Sequence, residues 1–229
     1  MSPLLLLHGA IGSAHQLEKL ANELKGTYDV YPINFSGHGV EPVPAESFSI
    51  EAFAKQVAAF IQQLPPTTPV NIFGYSMGGY VAMYMAKHLQ VNIGKIITLG
   101  TKFHWNETVA AKESKMLQPN VIEQKVPAFA KQLSERHGAQ QWKEVLYKTS
   151  DMLQQMGKKN PLQPEDYNQI KNPSLIMLGD RDKMVTRDET FEVYEQLINA
   201  QLAILPGTPH AIEQADCTMI AYHLKKFIG

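Results

Sequence analysis

The sequence predicts an α/β fold: a doubly wound, mostly parallel sheet of about six strands flanked by helices. Short apolar runs alternate with amphipathic helical patterns along most of the chain. This alternation is typical of strand–helix–strand units, in which successive strands are parallel. The predicted strands lie near residues 4–7, 28–33, 70–73, 95–100, 174–178 and 201–205. The predicted helices lie near residues 14–24, 50–63, 77–89, 187–198 and 216–228.

The first predicted strand runs into a glycine-rich turn, His8-Gly9-Ala10-Ile11-Gly12-Ser13. Such a turn at the end of a parallel strand can aim a backbone N–H into a site. Ser13 and Gln16 have the spacing of a capping box, which favours a helix start at this point. His8, like His38 in a second glycine-rich turn, is expected to brace its turn by hydrogen bonds.

The third predicted strand ends in Gly74-Tyr75-Ser76-Met77-Gly78, a G-x-S-x-G pattern that opens a long apolar helix. A serine on a tight strand-to-helix turn has an exposed hydroxyl, and its neighbouring amides lie at a helix N-terminus. Gly74 and Gly78 carry no side chain, so strand and helix can approach closely. Ser76 is therefore the candidate nucleophile. The alternative is a purely structural role, in which the Ser76 hydroxyl only forms hydrogen bonds to backbone groups of the turn.

A serine hydroxyl needs a base to take its proton, and the base needs a third group to orient it. His210 lies in a loop between the last predicted strand and the last helix, so it is the candidate base. Asp180 and Asp182 follow the strand near 174–178, where loops at carboxyl ends of strands carry chemistry. From their position alone, either aspartate can orient the imidazole. The amides of Ala10 and Met77 are candidates for an oxyanion hole.

About seventy residues between the strands near 95–100 and 174–178 lack a strand pattern, and a structureless loop of that length is unusual. Prolines and glycines divide this segment, so we expect a helical insertion over residues 102–172 within one domain of residues 1–229. Its large apolar residues can line a pocket roof, although packing within the insertion is the expected role of any one of them. They are Trp105, Met116, Leu117, Phe129, Trp142, Met152 and Met156.

Composition narrows the functional classes. The chain has 229 residues and a formal net charge of −1. A net charge of this sign and size does not attract nucleic acid or an anionic membrane. The single Cys217 excludes an intramolecular disulfide and any cysteine-based zinc site. The histidines lack metal-site spacing, so no metal and no other cofactor is expected. No run is long enough to span a membrane, and residues 4–7 are too short for a signal peptide, so cytoplasmic residence is expected.

These motifs together resemble the α/β-hydrolase superfamily. The landmarks occur in the superfamily's order and span nearly the whole chain: His8-Gly9, Phe35-Ser36-Gly37-His38-Gly39, Gly74 to Gly79, Gly179-Asp180-Arg181-Asp182 and Pro209-His210. In that family's G-x-x-D pattern the acid is the fourth residue, so the resemblance selects Asp182 over Asp180. The resemblance also implies that the insertion is the family's cap. The family's usual antiparallel strands before the His-Gly strand have no counterpart in this chain, which predicts a trimmed sheet with an uncovered edge and either a monomer or a homodimer.

The implied activity is that of a serine hydrolase acting on a small or medium carboxylic ester or related acyl compound through Ser76, Asp182 and His210. An alternative is a carbon–carbon bond hydrolase, or a lyase similar to the menaquinone-pathway synthase. That synthase typically carries an arginine after the last glycine of the elbow, where this chain has Tyr80. A second alternative is a ligand receptor or signalling protein that keeps the same triad but turns over slowly.

Overall fold

A computed structural model describes residues 1–65 and 68–229, and it confirms the predicted fold class. Six strands form one sheet in the order β2-β1-β3-β4-β5-β6, and each pairing between neighbouring strands is parallel. The strands are β1 (Ser2–Leu7), β2 (Tyr28–Ile33), β3 (Val70–Tyr75), β4 (Ile93–Leu99), β5 (Ser174–Gly179) and β6 (Ala200–Leu205). All six predicted strands are present, some with ends extended by one or two residues.

The helices of the sheet layers also lie where the sequence predicts them. They are α1 (Glu18–Leu24), α2 (Ile50–Ile61), α3 (Met77–His88), α9 (Arg187–Gln196) and α10 (Cys217–Ile228), with 3₁₀ helices at Ala14–Leu17 and Ile212–Gln214. Side chains cap the free N-terminal amides of α2, α9 and α10. Ser49 accepts from the Ala52 amide at the start of α2, and Asp216 accepts from the Met219 amide at the start of α10.

Both faces of the sheet are covered, which explains the four consecutive leucines of β1. Successive strand residues point to opposite faces. Leu5 and Leu7 pack into one apolar core, which includes residues of α2 and α3. Leu4 and Leu6 pack into the other, which includes residues of α1 and α10. All four are fully buried, and each buried leucine contributes about 1.5–3 kcal/mol to stability.

The segment between β4 and β5 is helical, as the sequence predicts. It contains α4 (Glu107–Lys115), α5 (Pro119–Lys125), α6 (Pro127–His137), α7 (Trp142–Lys158) and α8 (Pro164–Tyr167). Helix α7 packs against α4, α5 and α6. Proline begins α5, α6 and α8, where its missing N–H costs nothing.

The strand order reverses between β1 and β3, and this reversal places the site. The chain leaves β1 for β2 on one side and then returns to β3 on the other. A crevice therefore opens at the carboxyl ends of β1 and β3, where ligands of doubly wound sheets bind. Separately, among the described residues no helix is both long and apolar enough to cross a membrane.

Candidate active site

Ser76 occupies a strained turn between β3 and α3. Its backbone angles are φ 52° and ψ −117°, in the left-handed half of the map that non-glycine residues rarely adopt. Such strain costs on the order of 1–3 kcal/mol, so surrounding bonds must hold it. The Ser76 amide donates to the Leu99 carbonyl at 2.9 Å, and the Ser76 carbonyl accepts from the Thr101 hydroxyl at 3.0 Å. The turn is thereby tied to the end of β4.

Gly78 explains why the elbow needs a residue without a side chain. A Cβ at Gly78 would lie 2.4 Å from the carbonyl oxygen of Leu7, a backbone atom that cannot move aside. Helix α3 therefore starts directly against the end of β1. This contact brings Ser76 next to the loop that follows β1.

The structure brings Ser76, His210 and Asp182 together, as the resemblance implies. The Ser76 Oγ lies 3.3 Å from His210 Nε2, and His210 Nδ1 lies 2.7 Å from Asp182 Oδ2. A carboxylate only accepts, so the hydrogen of His210 is on Nδ1 and its Nε2 is free to accept from the serine hydroxyl. Ser76 and His210 are 134 residues apart in the chain, so only the folded sheet creates this contact.

Asp182 is held as a carboxylate. Its side chain is only 2% exposed, and this burial pushes its pKa upward. The hydrogen bond and the charge of His210 push it down, together with the amides of Val185 and Met184, which donate to Oδ1 at 2.9 and 2.8 Å. The downward effects prevail, and the pKa of Asp182 lies below its ordinary value. An ionised Asp182 is suited to orient His210.

Asp180 does not contact His210. Its Oδ1 accepts from the Thr208 amide at 3.3 Å, and its Oδ2 lies 3.6 Å from the Arg181 Nε. The bond from Thr208 to Asp180 does not involve the imidazole. It links the loop after β5 to the loop that carries His210.

The candidate oxyanion amides belong to the loop after β1 and to the start of α3. A Cβ at Gly9 would lie 3.2 Å from the Ser76 Cβ, so this loop passes directly beside the serine. Ala10 and Met77 line the same cavity as Ser76. Within residues 1–65 and 68–229, neither amide donates to a protein acceptor. Both N–H groups are therefore available to a ligand.

His8 and His38 brace their turns through backbone atoms. Nδ1 of His8 donates to the Gly9 carbonyl at 2.7 Å, and its Nε2 accepts from the Phe35 amide at 3.1 Å. Nδ1 of His38 donates to the Ser36 carbonyl at 3.1 Å. Both rings are fully buried, and desolvation lowers the pKa of His8 well below its usual value and that of His38 to about 3.

A cavity of about 1410 Å³ opens over Ser76 and His210. Six of the seven large apolar residues of the insertion line this cavity, and lining does not exclude packing, since Met152 and Met156 also belong to the buried core. Only one, Trp142, lies away from the cavity, in a small cluster with Leu133 and Leu146. Those that line the cavity are Trp105, Met116, Leu117, Phe129, Met152 and Met156. Helical spacing alone cannot separate a lining face from a packed one.

One residue of the site region has no role in the sequence-based predictions. His137, at the end of α6, is 1% exposed and contacts the loop that carries Ala10. Its contact residue Ile11 is 126 positions away in the chain, so no local sequence pattern predicts this contact.

The site combines a strained serine after β3 with an aspartate from the loop after β5 and a histidine from the loop after β6. This arrangement is typical of proteins with the hydrolase fold. The chain matches the α/β hydrolase fold family over residues 2–155, and it belongs to that family.

Curated relatives agree with this family. The pimeloyl-[acyl-carrier protein] methyl ester esterase of Neisseria meningitidis (serogroup C) is 41% identical over 81 residues. That match spans 35% of this chain and 29% of the relative, so it covers under a third of the relative's length. An uncharacterised hydrolase of Bacillus subtilis, YugF, is 22% identical over 98% of this chain and 89% of its own.

Solved structures share the fold over the whole chain. MenH from Staphylococcus aureus superposes with a TM-score of 0.79 at 19% identity, covering 99% of this chain and 93% of that one. NosK from Streptomyces actuosus superposes with a TM-score of 0.82 at 17% identity, covering 99% and 97%. At these identities the similarity establishes the fold alone.

Proposed function

We propose that this protein is a serine hydrolase that cleaves a small or medium carboxylic ester or a related acyl compound. The observation that carries the proposal is the continuous chain of contacts from Ser76 Oγ to His210 and on to the buried Asp182. A serine, a histidine and an acid in these mutual positions perform acyl transfer on several unrelated folds.

In the proposed mechanism, Ser76 Oγ attacks the substrate carbonyl while His210 Nε2 takes its proton. Asp182 stabilises the imidazolium through the bond to Nδ1. The imidazolium then gives the proton to the leaving alcohol, and an acyl-Ser76 remains. A water attacks this acyl group while His210 takes a proton from it, and His210 then returns that proton to Ser76 Oγ as the bond to the acyl group breaks and the acid is released. The distance of 3.3 Å between Oγ and Nε2 is long for a hydrogen bond, as is common before substrate binds.

The amides of Ala10 and Met77 are the proposed oxyanion hole. Both lack a protein acceptor in the described part of the chain and flank Ser76. The Met77 amide lies at the N-terminus of α3, where the helix dipole favours negative charge. Donors placed in this way stabilise the charge that develops on the carbonyl oxygen.

The cavity favours a neutral acyl group of moderate size. We propose that residues 102–172 act as a cap whose apolar side chains form its roof. Two cationic side chains at the cavity already form ion pairs. Lys102 Nζ lies 3.9 Å from Glu113 Oε1, and Arg136 Nη2 lies 3.1 Å from Glu213 Oε1. An unpaired basic cluster, which a strongly anionic substrate would need, is absent from the cavity residues that the structure describes. The similarity to a methyl ester esterase supports a carboxylic ester as the substrate.

Lyase chemistry similar to that of the menaquinone-pathway synthase is less well supported. Where that enzyme typically carries an arginine, the Tyr80 side chain is buried and its hydroxyl bonds to Asn160 and to the Leu162 amide. The Tyr80 hydroxyl is therefore hydrogen-bonded to the insertion, and it offers no positive charge to a substrate.

The proposal is tested with a fluorophosphonate probe and a panel of p-nitrophenyl esters of graded chain length. The protein should be labelled at Ser76 and should hydrolyse esters with multiple turnovers, and Ser76→Ala should lose both properties while keeping its melting temperature. Labelling that persists in the variant would contradict the assignment of Ser76. A lasting adduct with slow turnover would instead favour the receptor alternative.

A further inference from the structure

The end of α6 is hydrogen-bonded to the loop that carries Ala10. The Ile11 carbonyl oxygen accepts two hydrogen bonds, from Arg136 Nη1 at 3.0 Å and from His137 Nε2 at 2.9 Å. Both donors belong to the helical insertion, whereas Ile11 belongs to the loop after β1. Two donors on one carbonyl oxygen use both of its lone pairs, so this contact is saturated.

The backbone of a second loop sets the tautomer of His137. Its Nδ1 accepts from the Gly39 amide at 3.0 Å, so the ring hydrogen is on Nε2, where it donates to Ile11. Desolvation lowers the pKa of His137 to about 4, and the charge of Arg136 also acts to lower it. The ring is therefore neutral near pH 7. It bridges two loops of the sheet domain from the end of a helix in the insertion.

Ile11 needs this support because its own backbone is strained. Its φ is 51°, and for a β-branched residue this is a genuine outlier. On the other side of Ala10, the Gly9 carbonyl accepts from His8 Nδ1 at 2.7 Å and from the Gly12 amide at 3.1 Å. Ala10 therefore lies between two anchored carbonyls, and the direction of its N–H depends on both.

Arg136 extends the same contact to the loop of the base. Its Nη2 lies 3.1 Å from Glu213 Oε1, three residues after His210. Glu213 also accepts from the Gln16 side chain, in the short helix that follows the Ala10 loop. One arginine of the insertion thus joins the loop of the oxyanion amide to the loop of the base.

We propose that His137 and Arg136 are positioning residues that hold the Ala10 amide in the oxyanion hole. The insertion then does more than cover the substrate: the hole is complete only while α6 is docked. This inference rests on the proposed function. The insertion would then contribute to catalysis as well as to the cavity roof, because removing it would remove both donors to Ile11.

Two substitutions at His137 separate its two bonds. In His137→Asn the shorter amide can still accept from Gly39 but cannot reach Ile11. In His137→Gln the longer amide places a nitrogen near the former Nε2 and can still donate to Ile11. Direct loss of an oxyanion donor costs about 10²–10³-fold in kcat, and a misaligned one should cost about 10- to 100-fold. We expect that loss in His137→Asn with KM within about twofold, and a largely retained kcat in His137→Gln.

A transition-state analogue distinguishes this role from a general loosening. An alkyl trifluoromethyl ketone adds to Ser76 and places an oxyanion in the hole, so its inhibition constant should rise in His137→Asn by the same factor as kcat/KM falls. Lys148→Met is the matched control. Lys148 ties the insertion to the Pro44 and Glu46 carbonyls at 2.6 and 2.8 Å, away from the Ala10 loop. This control should leave kcat unchanged.

Clear outcomes decide the inference. Equal loss in the Asn and Gln variants, or an unchanged affinity for the ketone, would overturn it. If His137→Asn does not fold, Arg136→Met removes the other donor and should lower kcat about tenfold with the same selectivity for the ketone. Unchanged kcat in that variant would also overturn the inference. A wild-type protein without ester turnover or Ser76 labelling would instead contradict the proposed function itself.

Discussion

The phenol of Tyr75 donates a hydrogen bond to the carbonyl oxygen of His210, 2.9 Å away. Tyr75 precedes Ser76, so the proposed nucleophile and base are connected twice: through their side chains and through this bond to the backbone of the base loop. Burial raises the pKa of Tyr75 well above its usual value, which keeps the phenol protonated and donating. The base loop is thereby fixed relative to the serine.

Tyr75→Phe should therefore loosen the base without removing any reacting group. We expect kcat for a p-nitrophenyl ester to fall about 3- to 10-fold, the cost of roughly one net hydrogen bond, with KM nearly unchanged. Steady-state kinetics on the variant measure this split. A change confined to KM would show that Tyr75 acts on substrate binding instead.

The two aspartates should differ sharply when neutralised. Asp182→Asn leaves the shape but removes the charge that fixes the His210 tautomer, so kcat should fall by about 10⁴-fold. Asp180→Asn changes only the contacts to Thr208 and Arg181 and should cost less than about tenfold. Single-turnover acylation rates compare the pair directly. A larger loss in the Asp180 variant would exclude the assigned triad.

Acid should destabilise the protein through its buried histidines. An unfolded histidine titrates near pH 6.5, whereas the pKa of His38 is about 3 in the folded state. Between these values the unfolded chain binds a proton that the folded chain does not, so stability falls as pH falls, by about 1.4 kcal/mol per pH unit for each such group. His38→Asn should reduce the slope of the unfolding free energy between pH 6 and 4 by about one proton. Urea unfolding across this range tests it, and an unchanged slope would contradict this role of His38.

Chain-length preference should depend on the cavity roof. Phe129 lines the cavity, whereas Leu133, one turn later on α6, is fully buried in the insertion. Phe129→Ala should lower kcat/KM for hexanoyl more than for acetyl esters, with each lost methylene contact worth up to about 0.8 kcal/mol. Leu133→Ala should lower stability by about 2–5 kcal/mol and leave the chain-length profile unchanged. Matching profiles in the two variants would place the acyl pocket elsewhere.

The sequence predicts the succession of strands along the chain and the local turn chemistry well, because these follow from short-range patterns. The pentapeptide around Ser76 and the capping pair Ser13 and Gln16 are visible in a few consecutive residues, and the Ser13 amide does donate to Gln16 Oε1. The family pattern is needed to choose Asp182, since Asp180 has the same local surroundings in the sequence.

What the sequence does not show are contacts that the tertiary fold creates between distant polar groups. His137 is the last residue of an ordinary amphipathic helix, and nothing near it in the sequence indicates that Gly39 and Ile11 lie within hydrogen-bond distance. The left-handed backbone of Ile11 is equally unforeseen, since an isoleucine is a poor predictor of that conformation. These features arise from packing between the insertion and two loops, and local propensity carries no information about them.

The order of the strands also separates the proposed nucleophile from its proposed base in time while the chain is synthesised. The β1 strand is made first but lies inside the sheet, and its neighbour β3 and the serine follow long before β6. The loop with His210 leaves the ribosome only after all six strands, and domains fold as their chains emerge. A nascent chain therefore carries an unactivated serine until nearly the whole sheet has closed. The proposed hydrolytic activity should therefore report completed folding, and fragments ending before residue 210 should be inert even where their strands pair.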